Sequence, residues 1–227
     1  MSQVLNLVNS FDAFIKGCKE DGNWNAIKTG CVMAGWNGLA GALTPLKDGA
    51  PTNFNFVSGD YDRKTGLIGN SSTKYLNSNR NNNADPQNNF SISTYLTSAS
   101  TVAGVSMGVG GGDAGACSLG SLTGSTRNRN SALSSPALSG FTGLHGSSRS
   151  SSSAYIRRVQ GTNATITQAS ESPFNSNILV FCTSASGVPT AHTNSRQSFY
   201  HIGESVDLEK LDSRVTTLMS NIATAIP

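Results

Sequence analysis

Two stripes of apolar residues at helical spacing bracket this chain, and between them runs a long polar stretch broken every few residues by Gly, Asn, Ser and Pro. Val4, Val8, Phe11, Ile15 and Cys18 follow one another at intervals of 4, 3, 4 and 3, the spacing of one helix face. Leu208, Leu211, Val215, Leu218 and Ile222 recur at 3, 4, 3 and 4. Ser205 or Asp207 can cap this second helix, and Glu204, Asp207, Glu209 and Asp212 suit its positive end. After the Asp21-Gly22 stop, Trp24, Ile27 and Cys31 predict a further helical turn or two, so residues 1–44 are expected to form a helical segment and 205–227 a C-terminal helix. Each stripe must bury itself, either on the chain's own body or as an oligomer or docking seam. Val4, Val8, Phe11, Ile15, Leu208, Leu211, Val215, Leu218 and Ile222 are the seam candidates.

Residues 45–204 read differently. Short apolar or alternating runs predict strands at Phe54–Val57, Leu67–Gly69, Phe90–Leu96, Val102–Val109, Gly140–Gly146, Ala154–Val159, Ala164–Gln168, Asn177–Thr183 and Ser198–Ile202. Many short strands with turn-rich links predict a mainly β, two-sheet sandwich. The polar connections Asn77–Asn89 and Gly110–Pro136 are expected to be surface loops.

Only 13% of the 227 residues are charged, against about 25% in an ordinary soluble domain. Hydration must therefore come from amides, hydroxyls and backbone, which suits close assembly. A net charge of +3 and a pI near 8.7 are too mild for a dedicated nucleic-acid binder. The N-terminus lacks the basic and apolar regions of a secretory signal, and no apolar run is long enough to span a bilayer. Synthesis in a cytoplasm is expected, with no membrane insertion. Cys18, Cys31, Cys117 and Cys182 lack metal or redox spacing and are expected to be reduced and mostly buried.

Sequence motifs for chemistry are weak. Ser106 lies in a G-x-S-x-G match, with Asp113 and His145 downstream, but the glycine run after it cannot start the helix that a nucleophile elbow needs. Gly110–Gly115 fits a dinucleotide fingerprint without its βαβ surroundings. Asp60 and Asp62 begin like a calcium loop that Lys64 and Ser71 do not continue. His145, His192 and His201 have no metal-site spacing, and the glutamates form no paired-carboxylate strand pattern. No catalytic residue, metal or cofactor is expected. Arg127, Arg129, Arg149, Arg157 and Arg158 are the main basic concentration and the candidate binding patch for an acidic glycan, lipopolysaccharide or a partner protein's carboxylates. Aromatics lining a concave sheet face would point to sugar binding, and Trp36, Tyr61, Tyr75, Tyr95 and Tyr155 are the ones to inspect.

The string PTNFNFVSGDYDRKTGLIGNSSTKYLNSNR over 51–80, NNNADPQN over 81–88, and the ending from FYHIGESVDLEKLDSRVTTLM at 199–219 through Pro227 resemble a bacteriophage virion structural-protein family, common in phages of marine bacteria and cyanobacteria. Together these blocks cover roughly a third of the chain. The resemblance implies a concanavalin A-like (laminin-G-like) jelly roll whose core starts with the strand after the Gly69–Tyr75 turn. It brings no catalytic motif. It also implies a non-enzymatic virion protein, a tail or fibre component with a lectin-like host-attachment role. Its expected partners are other virion proteins, further copies of itself in a homo-oligomer such as a trimer, and a host-surface glycan. A capsid decoration or cement protein is the alternative, and a carbohydrate-active enzyme on the same fold the more distant one.

Overall fold

The computed structural model describes residues 3–227; Met1 and Ser2, which open the expected N-terminal segment, lie outside the described residues. Along the chain come α1 (Gln3–Glu20), β1 (Ile27–Val32), the short α2 (Leu39–Ala42), β2 (Thr52–Phe54), β3 (Tyr61–Asp62), β4 (Gly66–Ile68) and β5 (Tyr75–Asn81). There follow β6 (Phe90–Ser98), β7 (Val105–Val109), β8 (Cys117–Gly120), β9 (Thr126–Asn128), β10 (Gly143–Arg149), β11 (Tyr155–Val159) and β12 (Thr162–Ile166). The chain ends with β13 (Asn177–Val180), β14 (Thr183–Ala185), β15 (Val188–Thr190), β16 (Arg196–Gly203) and α3 (Leu208–Ala225).

The fold is a mainly β, two-sheet, jelly-roll-type sandwich with amphipathic helices at both ends. Its eight-stranded sheet runs β12-β11-β10-β6-β16-β4-β3, with β1 also on β16; the six-stranded sheet runs β2-β5-β13-β7-β8-β9. All pairings are antiparallel, and β14 and β15 form a separate hairpin. The two sheets close over Leu67, Leu76, Ile92, Met107, Leu119, Ile178, Val180, Tyr200 and Ile202. A second core lies on the other face of the larger sheet, where α1 and α3 cover Ile27, Val32, Leu144 and Phe199. The larger sheet is thus the middle of three layers, and β16 is buried on both faces, Tyr200 and Ile202 inward and Phe199 under the helices. The strand's polar members Gln197 and His201 are buried as well, and each finds side-chain partners, Thr94 for the first and Ser91 and Ser93 for the second.

The terminal stripes settle differently. Asp207 caps α3, accepting from the backbone N–H of Glu209 (3.0 Å) and Lys210 (3.1 Å), and Leu208, Leu211, Val215, Leu218 and Ile222 are all buried against the chain's own larger sheet and α1. These five are intrachain core, and the seam expected of them is corrected accordingly. In α1 the buried line is Leu7, Phe14 and Cys18, with Phe11 and Ile15 half-buried beside it. Val4 and Val8 stay 66% and 57% exposed. The helix is rotated because Gly17 meets α3: a Cβ there would lie 2.6 Å from the Arg214 Nε, and Arg214 donates to Asp21 at 2.8 and 3.1 Å.

The expected helical continuation through Trp24, Ile27 and Cys31 is instead β1, paired with β16. The β-branched Thr29 and Val32 favour a strand, and Gly30 lies so close to the Tyr200 carbonyl that a Cβ would collide with it. A bulge between Ile27 and Thr29 lets Ile27 face the helices while Cys31 faces the sandwich interior. Residues 1–44 therefore are not a purely helical appendage. The expected loop Gly110–Pro136 holds β8, which carries Cys117 and Leu119 inward, and β9 paired to it.

Gly66 opens β4 at φ +92°, with the Gln197 carbonyl where a Cβ would sit. Gly66→Ala is expected to combine left-handed strain with a backbone clash and to cost about 3 kcal/mol. In a chain of this size that is a fall of roughly 6–12 °C in thermal denaturation; an unchanged Tm would mean that β4 and β16 can separate at no cost.

Candidate functional site

β5 alternates Tyr75, Asn77, Asn79 and Asn81 with Leu76 and Ser78, and its inward Leu76 belongs to the core between the sheets. The alternate residues consequently face outward. Beside it, β13 turns Ile178 and Val180 inward and places Asn177 opposite Asn81 and Leu179 opposite Asn77. After β13 the chain folds into the β14–β15 hairpin. Between β5, β13 and this hairpin lies a groove of about 350 Å³, lined by Tyr75, Asn77, Asn81, Ser176, Asn177, Leu179, Ser184, Gly187 and Pro189. It lies on the outer face of the smaller sheet, on the opposite side of the molecule from α1 and α3.

The lining is held in place by its neighbours. Phe54, the cross-strand partner of Tyr75, stacks on its ring at 4.4 Å with the planes 6° apart and remains 36% exposed. His192 meets the Tyr75 ring edge-on at 6.0 Å. Burial lowers the His192 pKa, which keeps the imidazole neutral near pH 7. The amides of Asn81 and Asn83 both donate to Asn175 Oδ1, at 2.9 and 3.1 Å. Asn77 Oδ1 accepts from the backbone N–H of Asn79 at 2.9 Å. The nearby cations are already paired, Lys74 with Asp60 and Arg80 with Asp85. The groove therefore offers hydroxyls, amides and an aromatic rim, and its lining carries no formal charge.

Of the aromatics singled out in the sequence, Tyr75 lines this groove. It also packs on the sandwich core, as do Trp36 and Tyr61, which do not line the groove; Trp36 donates to the Val32 carbonyl (2.6 Å) and Tyr61 to the Trp36 carbonyl (2.7 Å). Tyr155 is buried and hydrogen-bonded to Thr126, and Tyr95 packs under the helices. Asn77 and Asn81 fall in a segment that its polarity marks as loop. The signal that could have placed them is the alternation of Leu76 and Ser78 with the outward residues.

The five arginines are brought together around β9, β10 and β11, but as internal struts. Arg129 and Arg149 are 0% exposed. Arg149 donates to the carbonyls of Asn128, Ser151, Ala154 and Gln168 at 2.8–3.2 Å and lies 5.2 Å from the Tyr155 ring centre. Arg129 lies 3.8 Å from the Phe90 ring centre, and burial pushes its pKa down to about 10. Arg157 donates to Ser134, Arg127 to the Ser131 carbonyl, and Arg158 pairs with Asp212 at 2.8 Å, tying β11 to α3. The expected basic patch is therefore not an open surface one: Arg149 satisfies four carbonyls and Arg127 is half-buried, while Arg129 keeps its Nε and Nη1 without a hydrogen-bond partner among the described residues.

Ser106 lies buried within β7 and not on an elbow. The Asp62 carboxylate closes its own turn, accepting from Lys64, Thr65 and the Thr65 hydroxyl at 2.6–2.9 Å. Among the described residues no three His, Cys, Asp or Glu side chains group as a metal site. All four cysteines are free and buried. Among the described residues no helix is long and apolar enough to cross a membrane.

No family model matches the chain, and no curated protein does. Several solved structures are similar. The NanB sialidase of Streptococcus pneumoniae, in complex with 2-[(3-chlorobenzyl)ammonio]ethanesulfonate, is 10% identical over 64% of this chain and 27% of its own, with a TM-score of 0.44. HCR/D-Sa-GBL1/C is 14% identical over 66% of this chain and 42% of its own, with a TM-score of 0.42. A mutant Trypanosoma rangeli sialidase displaying trans-sialidase activity is 14% identical over 92% of this chain and 39% of its own, with a TM-score of 0.46. The chain thus spans less than half the length of each. The expectation of a non-enzymatic protein is corrected: two of the three similar structures are sialidases. The want of a familiar catalytic motif in a sequence is by itself no ground for excluding activity.

Proposed function

We propose that the chain is a bacteriophage virion structural protein, a tail or fibre component that attaches the particle to the host surface through the groove between β5, β13 and the β14–β15 hairpin. The observation that carries this reading is the groove's position and chemistry. A polar concavity with an aromatic rim lies on the layer farthest from the helices, which leaves the helical layer free to join other virion proteins. The low charge of the chain suits packing among repeated copies in a homo-oligomer. A second reading, capsid decoration, is favoured by one feature. Val4, Leu7, Val8, Phe11 and Trp36 border an apolar hollow of about 330 Å³ beside α1, the kind of surface that docks onto a lattice.

Immunogold labelling of purified virions separates the two. Label at the tail or fibre, with adsorption blocked by the free chain, is the expected outcome. Label over the capsid would transfer the assignment to decoration, and absence from the virion would overturn both.

A further inference from the structure

We propose that the groove takes an uncharged glycan, whose hydroxyls bind Asn77, Asn177 and Ser184 while an apolar sugar face lies along the Tyr75–Phe54 pair. This rests on the attachment reading above and names the ligand class for it.

Unfilled hydrogen-bonding capacity is the first support. Ser184 is only 3% exposed, lines the groove, and its hydroxyl has no hydrogen-bond partner among the described residues. An orphaned buried hydroxyl costs about 1–3 kcal/mol, which a bound hydroxyl would recover. The Asn177 amide and the Asn77 Nδ2 likewise make no hydrogen bond within the described residues, whereas neighbouring Asn81, Asn83 and Asn175 bond one another. A side-chain amide offers a donor and an acceptor side by side, matching adjacent sugar hydroxyls, each of which both donates and accepts.

The second support is electrostatic. An anionic ligand would give up hydration on entering a lining that contains no Lys or Arg. His192 behind Tyr75 is held neutral by burial, and Lys74 and Arg80 are already neutralised by Asp60 and Asp85. The arginines that would have suited an acidic glycan line no part of this groove and lie buried or half-buried around β9, β10 and β11. The third support is apolar: the stacked Phe54 and Tyr75 rings present a rigid edge of carbon beside the amides, the pairing of apolar body with polar tip that Tyr supplies.

The test is affinity electrophoresis of the full chain through neutral polysaccharides (dextran, mannan, galactan, xylan) and acidic ones (alginate, polygalacturonate), at low and high salt. Retardation by a neutral polymer, unaffected by salt, is expected, with Asn177→Ala and Tyr75→Ala each weakening it about tenfold. Asn177→Ala removes no side-chain hydrogen bond among the described residues and should melt as the parent does, so loss of binding in it is not loss of folding. Retardation only by acidic polymers, erased by salt, would overturn the proposal, as would no retardation by any neutral polymer or full binding by both variants. The attachment reading fails separately. A chain that blocks phage adsorption yet binds no neutral polymer sinks the ligand class alone, and one that binds a neutral polymer yet is absent from virions sinks attachment alone.

Discussion

Leu211→Asp should leave no folded protein at ordinary temperature, whereas Val8→Asp, on the other terminal helix, should change stability by no more than about 0.5 kcal/mol. Leu211 is fully buried in the core that α1 and α3 form on the larger sheet, in line with Leu208, Val215 and Phe199. Removing a buried leucine side chain costs about 2–5 kcal/mol, and placing a carboxyl group in the same apolar surroundings adds several more. The sum approaches the roughly 5–15 kcal/mol that holds a domain together. Release of the helix alone would not spare the rest, because α3 covers the outer face of β10 and β16, the middle of the sandwich. Soluble yield, circular dichroism and thermal denaturation are the readouts. A variant that melted near the parent temperature would show that α3 does not pack on that sheet.

Stability should also fall steeply in mild acid. Burial pushes His145 and His201 down to about 3, with the positive charge of Arg157 adding to the effect at His145. At His201 the hydrogen bonds explain why the neutral form belongs there. Ser91 donates its hydroxyl proton to the Glu204 carbonyl at 2.6 Å, so it can only accept from Nε2–H at 2.8 Å; Ser93 then donates to Nδ1 at 2.6 Å. An imidazolium would have no acceptor on the Nδ1 side while Ser93 keeps that orientation.

In the unfolded chain both histidines titrate near the ordinary value of about 6.5. Between that value and about 3 the unfolded state holds more protons, so stability present above about pH 6.5 is lost as pH falls toward 3. The slope is about 1.4 kcal/mol per pH unit for each histidine. Urea denaturation across this range should show the midpoint falling continuously, and His145→Leu should reduce the slope by about 1.4 kcal/mol per pH unit. A flat profile down to about pH 4 would mean that the two rings accept protons in the folded state almost as readily as in water.

How much of this was legible in the sequence depended on whether a residue's role is local. The C-terminal stripe specified a helix with one buried face, and Asp207 its start, because period and cap are properties of neighbouring residues. The strand Asn177–Thr183 was legible for its apolar run, although the chain leaves the sheet after Val180 to build the hairpin. The groove was harder to see. Asn77 and Asn81 have the composition of a loop, and become a binding face only because Leu76 and Ser78 turn inward and β13 supplies Asn177 from a hundred residues away. The arginines misled for the converse reason: charge predicts exposure on average, but a guanidinium that finds four carbonyls inside the fold is stable there.

By itself the sequence determined the sandwich class, both terminal helices and the low-charge surface, since hydrophobic period, turn residues and composition act over a few residues. Tertiary structure alone decided which surface each helix covers, that β1 joins β16, that the arginines point inward, and that a neutral groove opens on the far sheet. Those outcomes depend on pairing and packing between segments distant in the chain, where the energy of one residue is set by neighbours its own sequence context does not name.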